Sequence, residues 1–293
     1  MASARRSAPA TTCSIPSAAW GVAACHGGVI GDGPWAAMID AALRRDGIRH
    51  IGMRCDGEDN GFCIALTDAR AERTFISCRG AEAHAPADAF DAIEPGASDV
   101  LYVSGYTLAH RTAEALRRFL RRTMGHRFAA VVDASPVIDA ADMAMLRQLR
   151  DYAPVWTCNE REAGLLMRRF GLDGPHGSGA EQACRRLAEG LGSPVIVRAG
   201  GDGAWMCEPG AGPRHVAGFP VAAVDTNGAG DCHTGVLCAE LTRGTPLPEA
   251  VRTANAAAAI AVTRRGPATC PSRQEVRALF GADTRRRHGH PEA

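Results

Sequence analysis

Short apolar runs alternate with longer stretches of helical period along this 293-residue chain, and that alternation limits the available folds more than any other feature. The runs 100–104, 129–132, 155–157 and 195–197 are valine-rich, bounded by polar or turn residues, and read as buried strands. Between and beside them, 109–123, 140–149, 160–170 and 180–191 carry apolar residues at helical spacing. Strands separated by connections of helix length pair in parallel, with the crossover helices packed on the sheet faces. The expected fold is therefore α/β, a sandwich with a mostly parallel central sheet. The arginine pairs at 117 and 118, 121 and 122, 168 and 169, and 185 and 186 supply the wet faces of these helices.

Residues 54–80 break the pattern. There 62–67 and 73–77 alternate in period two around the turn-like stretch 68–72, which predicts a β-hairpin serving as a sheet edge or as a cover over a site. The last residues, 281–293, hold Arg285, Arg286, Arg287, His288 and His290 with almost nothing apolar, and read as a solvated tail. No repeat or low-complexity linker divides the chain.

Composition excludes several classes of function. Basic and acidic side chains number 33 and 32, so the net charge of +1 offers no footprint for non-specific nucleic-acid binding. Every one of the basic residues is arginine, which rules out Schiff-base chemistry and phosphate loops that need a lysine. The eleven cysteines are scattered, with no Cys-x-x-Cys pair, and suit small buried hydrophobes in a reducing cytoplasm better than a disulfide framework or zinc site. The histidines show no helical pair at metal spacing. No apolar run approaches the ~20 residues that cross a bilayer.

One segment carries chemistry. Asp225-Thr226-Asn227-Gly228-Ala229-Gly230-Asp231 follows the apolar run 221–224 and precedes the helical run 234–241. A turn of small residues that opens a helix lets backbone N–H groups approach an anion closely, reinforced by the helix's positive end, so phosphate is held without lysine. Asp231 then stands beside the bound phosphoryl group, placed to accept a proton from an attacking hydroxyl. A calcium loop is excluded because its fifth and twelfth positions would be Ala229 and Val236. A dinucleotide fingerprint fails because its third glycine would fall at His233. A merely structural helix cap is the remaining plain alternative on composition alone.

The heptapeptide resembles the second signature of the ribokinase-like, PfkB-type carbohydrate kinases, and further motifs follow in the family's order. The stretch 254–266, Ala-Asn-Ala-Ala-Ala-Ala-Ile-Ala-Val-Thr-Arg-Arg-Gly, resembles the family's C-terminal helix and following turn. Asn159-Glu160-Arg161-Glu162 fits its Asn-x-x-Glu element, and Arg198-Ala199-Gly200-Gly201-Asp202-Gly203 is similar to its nucleotide-side strand and turn, with arginine where threonine or lysine is usual. Residues 28–33, followed by 34–47, resemble the glycine-aspartate turn and helix after the sugar-binding motif.

The resemblance implies a ribokinase-like three-layer α/β/α sandwich over residues 1–280 with a small, incomplete β lid. It implies an ATP- and Mg2+-dependent kinase that phosphorylates a hydroxymethyl group of a sugar or nucleoside, cytoplasmic, free of nucleic-acid or membrane partners, with a homodimer left open. Asp231 would be the base, and the amides of Gly228, Ala229 and Gly230 the anion hole. Asn159, Arg198, Gly200, Gly203 and Asn255 would line the nucleotide. Glu162 would act on magnesium through water, Asp225 on a monovalent cation such as K+, and Asp32 on the substrate. The plain alternatives are a first-turn helix carboxylate for Glu162, a surface ion pair for Arg198 and a turn-stabilising role for Asp32. The family's opening strand with its aspartate, its lid strands and its Gly-Gly-x-x-Asn motif have no counterpart here, and residues 1–7 resemble the helix that follows that motif. A strand order missing its first, central member would expose apolar sheet surface and unpaired backbone, so either the recorded start lies too late or the protein is decayed or repurposed, with a catalytically inactive nucleotide- or sugar-binding remnant as the alternative function. At the position of the family's sugar-binding glutamate stands Gly105, next to Tyr106.

Overall fold

The computed structural model describes residues 20–67, 73–125, 127–172 and 179–288. The expectations for the start of the chain fall on 1–19 and that for the hairpin turn on 68–72, outside the described residues.

The main sheet has six strands. They are β5 (Val100–Ser104), β6 (Ala129–Asp133), β7 (Val155–Asn159), β8 (Val195–Arg198), β9 (Gly203–Cys207) and β10 (Arg214–Ala217), in the order β10-β9-β8-β7-β6-β5. From β5 to β8 the pairing is parallel, whereas β9 and β10 are antiparallel additions at one edge. Neighbouring residues of a strand point to opposite faces, and the core divides accordingly. Val132, Val195 and Val197 belong to one apolar cluster, and Val131 and Ile196 to the other.

On the first face lie α2 (Thr112–Arg122), α3 (Met143–Asp151), α4 (Glu160–Phe170) and α5 (Ala180–Leu191), which contribute Phe119, Leu146, Leu166 and Leu187 to the first cluster. The second face is covered by α6 (Ala229–Thr242), α7 (Leu247–Ala261) and α8 (Arg273–His288), through residues such as Leu237, Val251 and Val276. Because Cys232 to Glu240 are buried all round, α6 has no wet face: it lies between the sheet and α7. The final helix runs past Gly281, where the sequence suggests a solvated tail.

A smaller unit precedes the sheet. It comprises β1 (Cys25–His26) and β2 (Arg49–His50), paired in parallel around α1 (Pro34–Arg45), and a hairpin of β3 (Phe62–Thr67) and β4 (Arg73–Cys78). The hairpin forms its own two-stranded sheet, so it is a projection from the body and not an edge of the main sheet. Its base is fixed by Glu82, whose carboxylate accepts from the N–H groups of Gly61 and Gly80 and from the buried Asn60 side chain. Asn60 in turn accepts from the Gly31 N–H at 2.8 Å, tying hairpin to glycine turn.

Between β1 and β5 a cavity of about 360 Å³ opens, lined from one helical layer by Gly235 and Cys238 and from the other by Leu116 and Phe119. Trp20 closes the second core where the described chain begins: its indole N–H donates to the Pro271 carbonyl at 2.9 Å, and Arg243 donates to its backbone oxygen. The ten described cysteines are all free, and burial pushes the thiols of Cys184 and Cys238 up to about 12, as befits small hydrophobes. Cys25 and Cys78, which are exposed, and Cys55, Cys63 and Cys270, which are half-buried, depart from that reading.

Candidate active site

The segment 225–231 folds as its small residues require. Gly228 caps α6 in the left-handed conformation (φ 77°), and a Cβ there would meet the Pro267 carbonyl oxygen at 2.0 Å, so both backbone and space demand glycine. Asp231 falls in the first turn of α6, where N–H groups have no acceptor within the helix and the dipole favours negative charge. Ala229 N–H reaches only the Thr226 carbonyl, at a long 3.3 Å. Gly228 to Asp231 are half-buried.

Beneath this turn lies a buried polar cluster. Arg198, at the end of β8, directs one terminal nitrogen to Asp133 Oδ2 at 2.8 Å, Thr157 Oγ1 at 3.1 Å and Thr234 Oγ1 at 3.0 Å. The other terminal nitrogen reaches Asp133 Oδ1 at 3.4 Å and Glu162 Oε2 at 3.3 Å. Side-chain exposure is 13% for Arg198, 9% for Asp133 and 5% for Glu162, which separates this ion cluster from a surface pair. Burial works against the guanidinium's charge, but Asp133 and then Glu162 outweigh it and raise its pKa. Burial pushes the Glu162 carboxyl up, with Arg198 opposing.

Among the residues expected at the site, Asn159, Glu162, Arg198 and Gly230 converge. Asn159 and Glu162 form a reciprocal capping box at the start of α4, with side chain to backbone N–H distances of 2.9 and 2.8 Å. A Cβ on Gly230 would sit 3.6 Å from the Arg198 guanidinium carbon. The guanidinium therefore bonds protein carboxylates and hydroxyls, a buried arrangement that differs both from the expected place along the nucleotide and from a surface pair. The amide of Asn255 is likewise taken by protein partners, His233 and the Val216 carbonyl, and 6% of the residue is exposed. Gly200 (φ 57°) is exposed on the turn between β8 and β9, whereas Gly203 is buried against the Val216 carbonyl, where a Cβ would come within 2.2 Å. Asp32 is exposed on the turn before α1, its N–H bonded to the Glu58 carbonyl at 2.8 Å.

Asp133, Thr157 and Thr234 join this polar cluster and were missed in the sequence reading. A carboxylate ending an apolar strand was the available signal for Asp133, because ligands of open α/β sheets gather at the carboxyl ends of strands. Tyr106 also belongs here. Its phenol is pushed up to about 12 by burial and then by the carboxylates of Asp231 and Glu162.

For magnesium, the described residues hold no cluster of three or more metal-ligating side chains. Glu162 Oε2 already accepts from Asn159 N–H and Arg198, so Glu162 fits an ion held by nucleotide phosphates through water and not a direct cage. Asp225 accepts from Asn227 N–H and Gly266 N–H, each at 3.0 Å, and the Val262 carbonyl accepts from Val224 and Asp225. Asp225, the residue expected at a monovalent cation, thereby ties its own loop to the turn at Gly266.

Sheet order, the glycine-capped helix and the acid in its first turn are in keeping with an α/β kinase, and the chain belongs to the pfkB family of carbohydrate kinases, whose model matches residues 12–274. It is 32% identical over 247 residues to the uncharacterized sugar kinase YegV of Escherichia coli K12, covering 84% of this chain and 74% of that one. A provisional ribokinase II from E. coli, solved with ATP and Mg2+, superposes with a TM-score of 0.77 at 22% identity, over 94% of this chain and 89% of its own. Aminoimidazole riboside kinase from Salmonella enterica, complexed with aminoimidazole riboside and an ATP analogue, gives 0.75 at 21%, over 96% and 97%. These likenesses show the ribokinase-like three-layer α/β/α fold. Among the described residues no helix is long and apolar enough to cross a membrane.

Proposed function

We propose that this chain transfers the γ-phosphoryl group of ATP to a hydroxymethyl group of a sugar or nucleoside, with Asp231 as general base. The observation that carries the reading is Asp231 in the first turn of a helix capped by a left-handed Gly228, on a half-buried surface that a phosphate can approach. The acceptor oxygen attacks the γ-phosphorus in line as its proton passes to Asp231, and the bond to ADP breaks on the far side. N–H groups of Gly228, Ala229 and Gly230 meet the charge on the phosphoryl oxygens with fixed dipoles. Magnesium, when bound with ATP, would supply charge neutralisation at the phosphates, and Glu162 would hold it through water. Asp32 is the candidate for holding an acceptor hydroxyl, and the turn at Gly200 borders the nucleotide. The kinship with a sugar kinase and the shared fold with a riboside kinase that binds an ATP analogue support this acceptor class.

The test is ATP consumption with purified protein and Mg2+ against a panel of hexoses, pentoses and nucleosides, with product phosphate located by NMR. Acceptor-dependent ADP release with a new phosphomonoester is expected. Nucleotide binding without turnover on any acceptor would overturn catalysis in favour of a binding remnant.

A further inference from the structure

We infer that Arg198 is a positioning residue for phosphoryl transfer, holding the Asn159–Glu162 element and the first turns of α6 in one register through its bonds to Glu162, Asp133 and Thr234. The inference rests on the kinase reading above and concerns this chain's own arginine.

Three observations carry it. First, one planar group bonds side chains from β6 (Asp133), β7 (Thr157), α4 (Glu162) and α6 (Thr234), so four elements meet on a single guanidinium. Thr234 also donates to Asp133 Oδ2 at 3.0 Å, which closes a ring of bonds around the same carboxylate. Second, the guanidinium adjoins Gly230 in the turn that carries Asp231, so a displacement of Arg198 displaces the amides above it. Third, the chain has no lysine, and Arg198 supplies a fixed positive charge behind those amides. An ammonium at this place offers one point charge where the fork of arginine serves several acceptors at once. A shift of about 1 Å in such a support is enough to lower a rate by about a hundredfold without touching substrate.

The experiment compares wild type with Arg198→Met, Arg198→Lys and the charge-neutral pair Asp133→Asn with Arg198→Gln. The pair is included because Arg198→Met alone leaves Asp133 and Glu162 buried without their cation and risks unfolding. Steady-state kinetics, MgATP binding by calorimetry, thermal melting and amide hydrogen exchange are measured on each. We expect Arg198→Met to lower kcat by about a hundredfold with KM for ATP within about threefold, and Arg198→Lys to recover part of kcat. The neutral pair, in which only Glu162 still lacks its cation, should melt above Arg198→Met yet keep the low kcat. Wild-type kcat in the neutral pair, or a loss confined to KM for ATP in Arg198→Met, would overturn the positioning role. If wild type phosphorylates no acceptor, the kinase reading fails by itself and exchange decides the present one. Faster exchange at 228–234 and 159–163 in the neutral pair supports it, and unchanged exchange overturns it.

Discussion

Asn255 Oδ1 lies 3.2 Å from His233 Nε2, joining α7 to α6 inside the second core. The Asn255 amide nitrogen donates to the Val216 carbonyl at 2.9 Å, which leaves its oxygen toward the histidine and requires the imidazole proton on Nε2. Among the described residues His233 Nδ1 is buried and finds no hydrogen-bond partner. A second proton on the ring would therefore be an unsolvated charge, and burial, helped by the Arg198 cation, lowers the pKa to about 3.

That histidine sets the sign of the acid response. An imidazole with an ordinary pKa of 6.5 when unfolded and about 3 when folded binds its proton only in the unfolded chain between those values. His26, lowered to about 4 by burial and then by His50, adds a second such group. Their stabilisation is complete above pH 6.5 and is lost as pH falls toward 4, with a slope of about 1.4 kcal/mol per pH unit for each histidine. Urea midpoints between pH 4.5 and 7 measure this, and His233→Gln should remove one proton from the slope; a variant as acid-sensitive as wild type would contradict the assignment.

Replacing Asp231 by Asn keeps the shape of the first turn of α6 and removes the base. Turnover should fall by about 10²- to 10⁴-fold while calorimetric MgATP binding is retained. Equal loss of binding and turnover would show that the carboxylate serves the nucleotide instead.

Gly228 and Gly244 form a matched pair, with φ of 77° and 75°, but only at Gly228 would a Cβ strike a neighbour. Gly244→Ala should cost about 1 kcal/mol and leave kcat alone. Gly228→Ala should carry that cost and in addition push the turn off Pro267, lowering kcat by at least about tenfold. Thermal melts and initial rates on the two variants separate strain from site geometry.

Glu162→Gln retains an oxygen for the Asn159 N–H and so should preserve the capping box. If the carboxylate acts on water around magnesium, the Mg2+ concentration for half-maximal rate should rise about tenfold. An unchanged Mg2+ requirement would reduce Glu162 to a helix cap and a partner for Arg198.

How far the sequence spoke depended on the kind of information each element needs. The strand at Val100–Ser104 and the helices at Glu160–Phe170 and Ala180–Leu191 are where their apolar runs and periods put them, because burial on a sheet face leaves a local imprint. β10 left none: only Val216 of its four residues is buried, and an edge strand starting Arg214-His215 looks like a loop. α8 was concealed because its arginine-rich end lacks an apolar stripe. At the site, the glycine turn and Asp231 are contiguous and could be read. The partners of Arg198 come from 133, 157, 162 and 234, and Asn255 meets a histidine 22 residues away, relationships that only the sheet order creates.

The bond from Trp20 to Pro271 joins positions 251 residues apart. A nascent polypeptide emerging from the ribosome amino end first must carry that indole N–H without this acceptor until residue 271 has been translated. The second core thus gains this contact only after its strands and the helices α6 and α7 have been translated, and the tryptophan acts as a latch that shuts on position 271.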